Sequence, residues 1–228
     1  MPETPENIWV VVPAYNEGAV VSTTVLGLLQ CFANVVVVDD CSTDDTGEMA
    51  LRAGSYVVRH PVNLGQGAAL ATGIAYALRA GAAAVVTFDA DGQHSAVEAR
   101  AMTSLLQVQN LDVVLGSRFL GNAEGMTWGR RALLKLAVSF TRLTTGLQLT
   151  DAHNGLRALS RRAASTIQIR QNRMAHASEI LEQIASHRLS FAEMPCTITY
   201  TDYSKAKGQR WSGAFAVLSD LLTRRLYR

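Results

Sequence analysis

Ala84-Val85-Val86-Thr87-Phe88-Asp89-Ala90-Asp91-Gly92-Gln93-His94 runs from an unbroken apolar stretch straight into two acids one residue apart. An apolar run with no polar alternation reads as a strand buried on both faces, the kind that mostly parallel sheets contain. The same construction recurs on either side. Ile8 to Val12 leads into Pro13-Ala14-Tyr15-Asn16-Glu17, Val35 to Val38 into Asp39-Asp40-Cys41-Ser42, Tyr56 to Val58 into Arg59 to Gly67, and Val113 to Leu115 into Gly116-Ser117-Arg118. Helical periodicity fills the intervals at about residues 17–30, 43–53, 66–80 and 95–109. Strand and helix in alternation predict a doubly wound α/β fold, whose ligands sit beyond the carboxyl ends of the strands. In this sequence the polar and acidic residues gather there.

Beyond about residue 120 the alternation stops. Residues 130–145 and 174–188 read as helices, 191–200 as a β-rich stretch broken by Pro195, and 211–227 as a final helix. The expected organisation is one catalytic-sized domain over 1–203 and a basic amphipathic helix over 204–228. A length of 228 residues suits a single core with an appendage. The formal charge of +2 gives no reason to expect a nucleic-acid partner. Cys31, Cys41 and Cys196 are odd in number and lack metal-ligand spacing, so neither a disulfide framework nor a structural zinc site is expected, and a reducing cytoplasm fits. No signal peptide or membrane-spanning run is visible, which leaves peripheral attachment at the inner membrane face as the expected form of any membrane contact.

Asp89 and Asp91 stand across a strand-end turn, where both can reach one divalent ion. Mg²⁺ or Mn²⁺ favours carboxylates, diphosphate oxygens and water, and would offset charge developing on a leaving diphosphate. The plain alternative is a turn built from Asp and Gly. Asp39 and Asp40 would repel each other past a buried strand unless a nucleobase N–H or ribose hydroxyl engages one of them, whereas Ser42, Thr43 and Asp44 read as helix N-caps. Tyr15 and Glu17 offer a ring and a carboxylate at the first strand end, where Asn16 could equally cap a helix.

Together these motifs resemble the family 2 glycosyltransferases of the GT-A fold, a Rossmann-like, mostly parallel sheet flanked by helices. P-x-Y-N-E is matched by Pro13, Tyr15, Asn16 and Glu17; D-D-x-S-x-D-x-T by Asp39, Asp40, Ser42, Asp44 and Thr46; N-x-G-x-G by Asn63, Gly65 and Gly67. D-x-D falls at Asp89 and Asp91, and G-S-R at Gly116, Ser117 and Arg118. Within the family, Asp91-Gly92-Gln93, Gly116 to Phe119 and Asp151 to Arg157 look most like the polyprenyl-phosphate mannosyl- and glucosyltransferases, such as the dolichol-phosphate mannosyltransferases, although Asn154 departs from their pattern. The resemblance implies that Asp89, Asp91 and Gln93 hold the metal and that Pro13, Tyr15, Glu17 and Asp39 or Asp40 hold the nucleoside of a GDP- or UDP-linked sugar. Arg118, one of Arg130 and Arg131, and Lys205 or Lys207 would meet phosphates. It also implies inversion at the anomeric carbon.

The acceptor decides whether a base is needed. A phosphate monoester is largely an anion at neutral pH and attacks unaided, whereas a saccharide hydroxyl needs a carboxylate to take its proton. Asp151 is the first candidate for that base and Glu179 the second. The expected catalytic set is therefore Asp91, Arg118 and Asp151. Trp211, Phe215, Leu218 and Leu222 form an apolar stripe in a segment whose charges are mostly Lys and Arg, fit either for an anionic membrane or for packing on the domain or in a homodimer. A sugar-nucleotide pyrophosphorylase lacks support in the absence of a Gly-rich basic loop after the first strand, and a donor-binding subunit without turnover is the non-enzymatic alternative.

Overall fold

The computed structural model of the protein describes residues 7–124 and 128–199. Seven strands form one mixed sheet: β1 (Ile8–Ala14), β2 (Asn34–Asp39), β3 (Tyr56–Arg59), β4 (Ala84–Thr87), β5 (Val113–Glu124), β6 (Arg157–Ser160) and β7 (Phe191–Thr199), in the order β3-β2-β1-β4-β6-β5-β7. The pairs β1–β2, β2–β3, β1–β4 and β5–β7 are parallel, and β6 runs antiparallel between β4 and β5.

Alternation along the strands sends side chains to two cores. Ile8, Val10 and Val12 of β1 face one side with Val35 and Val37 of β2, where α1 (Val21–Leu29), α2 (Thr46–Arg52) and α4 (Ala96–Val108) cover them. Trp9, Val11 and Val36 face the other side, under α3 (Gln66–Arg79), α5 (Trp128–Thr145), α6 (Arg161–Thr166) and α7 (His176–Ser186). The helices show why they dock. Ala99, Met102, Thr103 and Leu106 place one buried stripe on α4, and the Ser95 side chain caps it by accepting from Glu98 N at 3.5 Å. Ile180, Leu181 and Ile184 of α7 are fully buried, each worth about 1.5–3 kcal/mol in transfer free energy.

Three boundaries correct the sequence reading. The stretch expected to break at Pro195 is one continuous strand, β7; it lies at the sheet edge, where a missing N–H is tolerated, and a register shift against β5 falls between Ser117 and Asn122. β5 runs on to Glu124, well past the expected Leu115. β6 and α6 had no sequence signature at all, since Arg157-Ala158-Leu159-Ser160 contains no β-branched residue. The predicted helix over 211–227, with Lys205 and Lys207, lies outside the described residues. No helix among the described residues is long and apolar enough to cross a membrane.

Candidate active site

A cleft of about 390 Å³ opens where β1 and β4 end side by side, the place at which chain connections diverge to either side of the sheet. Its wall includes Pro13, Tyr15 and Glu17 from β1 and its loop, Asp89, Asp91 and Gln93 from the loop after β4, Arg118 from β5, and Asp40. Residues separated by about a hundred positions in the sequence thus share one hollow.

The β1 loop is held by the segment after β2. Asn16 adopts a left-handed conformation, φ 54°, and its N–H donates to Ser42 Oγ at 3.0 Å while its side-chain oxygen accepts from Thr43 N at 2.8 Å. Glu17 N donates to Thr46 Oγ1 at 2.8 Å and Gly18 N to an Asp44 oxygen at 3.1 Å. Ser42 and Thr43, expected as helix caps, therefore work across the turn, whereas Asp44 does both, accepting also from Thr46 N at 3.0 Å at the start of α2. Asp39 and Asp40 avoid mutual repulsion by taking different internal partners. Asp39 accepts from Ser42 N at 2.9 Å and lies 3.4 Å from Arg59 Nε. Asp40 accepts from Leu64 N at 2.9 Å and Gly65 N at 2.6 Å and lies 2.7 Å from His60 Nδ1. Of the two, Asp40 reaches the cleft.

The Asp89–Asp91 pair is the electrostatic centre. Burial raises the Asp91 pKa, the neighbouring Asp89 charge adds to it, and together they carry it from 3.8 to about 6 despite a hydrogen bond from Gln93 N at 3.1 Å. Burial pushes Asp89 up as well, but His94, Arg157 and His176 outweigh it and its pKa ends below the ordinary value. Asp89 also accepts from Gln66 Nε2 at 3.0 Å and lies 3.4 Å from His94 Nε2. Gly155 packs directly on it: a Cβ there would come within 2.1 Å of an Asp89 oxygen. Two crowded carboxylates, one of them reluctant to ionise, are what a hard dication relieves, so the donor set fits Mg²⁺ or Mn²⁺.

Arg118 is buried beside the cleft. Its Nε donates to Asp151 at 2.6 Å, its backbone N–H to the same oxygen at 3.2 Å, and its Nη2 to the His153 carbonyl at 2.7 Å. Asp151, expected as a base, stands behind Arg118 rather than in the cleft, and its loop is fastened in turn by Glu193, which accepts from Thr150 N at 2.8 Å and Asp151 N at 3.0 Å. A carboxylate so committed is poorly placed to take a proton from an acceptor. Glu179 is also occupied: it accepts from Arg170 N at 3.0 Å and Gln171 N at 2.9 Å. Arg131 is exposed near the start of α5 and does not join the cleft wall.

Gln66, Gly155 and Arg157 lie within motifs visible in the sequence, but their individual parts, like that of Glu193, depend on neighbours far away in the chain. Gly65 and Gly67 of the N-x-G-x-G motif serve close packing. A Cβ at Gly67 would lie 1.9 Å from the Gln171 carbonyl, and Gly67 N donates to Asn172 O at 2.8 Å, so the motif seats the 171–172 segment.

The chain is similar to proteins already known. The chain is 35% identical to an uncharacterized protein of Methanocaldococcus jannaschii, over 97% of this chain and 93% of that one. It is 30% identical to the UDP-N-acetylglucosamine–dolichyl-phosphate N-acetylglucosaminyltransferase of Methanococcus voltae, over 94% of each. Glucosyl-3-phosphoglycerate synthase from Mycobacterium tuberculosis shares the fold with a TM-score of 0.73 at 20% identity, covering 95% of this chain and 80% of that one. With strand-end motifs converging on one cleft, and with the profile described as Glycosyl transferase family 2 matching residues 9–168, the chain belongs to glycosyl transferase family 2.

Proposed function

We propose that the protein moves a sugar from a nucleoside diphosphate, UDP- or GDP-linked, onto a polyprenyl phosphate, with inversion at the anomeric carbon. The observation that carries this reading is the meeting of Asp89 and Asp91 with Tyr15, Glu17 and Arg118 in one cleft at the β1–β4 junction. In it, Pro13, Tyr15, Glu17 and Asp40 hold the nucleoside, with Asp39 shaping the turn behind them. Asp89, Asp91 and Gln93 hold Mg²⁺ or Mn²⁺, which when bound would offset the charge left on the departing diphosphate. A structure of the M. tuberculosis synthase contains Mn²⁺ and UDP, in keeping with that assignment. Arg118 presents its guanidinium to phosphate from a fixed position, because Asp151 and the His153 carbonyl hold it. Asp151 is thus a positioning residue.

The engagement of Asp151 and Glu179 favours an acceptor that brings its own charge. A lipid phosphate oxygen attacks the anomeric carbon, its bond forms as the bond to the donor diphosphate breaks, and no protein base is needed. The relative from M. voltae is named for transfer to dolichyl phosphate, and another, 27% identical over 87% of this chain, is the polyprenol monophosphomannose synthase of Mycolicibacterium smegmatis. Lys205, outside the described residues, is assigned to the diphosphate or the lipid phosphate, and the basic segment 204–228 to the membrane surface.

Calorimetric titration with UDP-, GDP- and dTDP-sugars, with Mn²⁺ and after chelation, tests the donor; incubation with undecaprenyl phosphate or with free saccharides tests the acceptor. Metal-dependent binding and a glycosyl phospholipid product are expected. A folded protein that binds no donor overturns the reading, and transfer only to saccharide hydroxyls overturns the lipid assignment.

A further inference from the structure

Buried polar side-chain atoms in folded proteins almost always have a hydrogen-bond partner. Among the described residues, those without one are His94 Nδ1, His153 Nδ1, His153 Nε2 and Arg157 Nη1. They are not scattered: His94 and His153 line the cleft, and Arg157 begins β6 two residues after Gly155, which lies against Asp89. Within this group His153 differs from the other imidazoles at or near the cleft, although it and His94 are only partly buried as residues. His60 engages both nitrogens, with Asp40 at 2.7 Å and Thr72 Oγ1 at 2.9 Å; His176 gives Nδ1 to the Arg173 carbonyl at 2.8 Å; His94 gives Nε2 to Asp89 at 3.4 Å. His153 has neither ring nitrogen satisfied.

Its place in the chain says what would satisfy it. The His153 carbonyl holds Arg118 Nη2 at 2.7 Å, and Gly155 touches Asp89. The short segment 153–155 therefore spans the interval between the guanidinium assigned to phosphate and the acid assigned to metal. In a nucleoside diphosphate sugar, the group bonded to the terminal phosphate is the sugar itself. We propose that His153 is a specificity-determining residue whose ring hydrogen-bonds a hydroxyl of the transferred sugar and reads the configuration at that carbon. The assignment rests on the reading of the cleft as a nucleotide-sugar site.

The protonation state agrees with this role. Burial lowers the His153 pKa from 6.5 to about 4, with Arg118 and Arg157 adding to the fall against the opposing charge of Asp151. The ring is neutral at pH 7 and offers one donor and one acceptor, the same pair that a hydroxyl offers in return. A site built to bond a hydroxyl discriminates against an analogue that misplaces it, because its own polar atoms are then left buried and unpaired.

The test compares the wild type with His153→Ala and His153→Gln, using the donor selected by calorimetry, its sugar epimers and the matching nucleoside diphosphate, all with Mn²⁺. Expected for His153→Ala is an unchanged affinity for the nucleoside diphosphate, a donor affinity weakened about tenfold, and loss of the preference between epimers. His153→Gln, whose amide also has a donor and an acceptor, should recover part of it. Equal weakening of both ligands would show that His153 only supports the fold, and no weakening of either would show that it does not meet the sugar; both overturn the assignment. If the variants fold poorly, ¹⁵N-histidine spectra of the wild type decide: the His153 ring resonances should move with the sugar nucleotide and stay in place with the nucleoside diphosphate, and no difference between the two overturns the proposal. Failure of the wild type to bind any sugar nucleotide refutes the underlying function instead, a result distinct from these.

Discussion

Asp91 and Asp151 show how a carboxylate's neighbours decide its work. Asp91, with its pKa near 6, must give up a proton to take a dication below that pH. Mn²⁺ affinity should therefore fall as pH drops from 7 to 5, and calorimetry in buffers of different ionisation enthalpy should register proton release below about 6. Asp91→Asn should reduce metal-dependent transfer at least about a hundredfold with the thermal midpoint little changed, in the range seen when a single transition-state electrostatic contact is removed. Asp151→Asn should act through Arg118, and so a double-mutant cycle with Arg118→Ala should show strong non-additivity, on the order of 1–3 kcal/mol. Additive losses would return Asp151 to the role of base. The sequence alone made both aspartates legible as important. It read Asp91 as a metal ligand and Asp151 as a base; the structure moves Asp151 behind Arg118, a guanidinium 33 positions earlier in the chain that no local pattern pairs with it.

Elements differ in how far their own residues announce them. β1, β2 and β4 are legible because Val-rich runs end in polar residues, whereas β6 owes its existence to the gap between β4 and β5 that it fills. The 171–172 segment is similarly invisible in sequence, being fixed by Gly67 on one side and Glu179 on the other. Gly67→Ala should destabilise the protein by about 1–3 kcal/mol, since the methyl group collides with the Gln171 carbonyl and has no free space to enter. Glu179→Ala should cost about 1–2 kcal/mol in denaturant unfolding as two backbone donors lose their acceptor. Its turnover should remain within a few-fold of wild type, an outcome that separates a loop fastener from a base.

For the whole molecule, two histidines, His176 buried and His153 partly so, set the response to acid. His153 and His176 have pKa values near 4 in the fold, against an ordinary 6.5, chiefly because burial disfavours their charged forms. Above 6.5 their contribution to stability is complete. As pH falls through 6.5 the unfolded chain takes up protons that the fold refuses, and each site loses stability down to about 4, by on the order of 1–3 kcal/mol. Asp91 works in the opposite sense, since its raised pKa favours the fold as pH falls between about 6 and 3.8. The histidines prevail, so the thermal midpoint should decline from pH 6.5 to 4.5, and His176→Gln should flatten that decline. The insertion of β6 has a bearing on synthesis. Ribosomes release the chain from its N-terminus, so β3, β2, β1 and β4 can assemble while residues 157–160 are still to come. Until then the nascent sheet has an unpaired edge at β4, the strand that leads into Asp89 and Asp91, and it is this edge that a chaperone would have to guard.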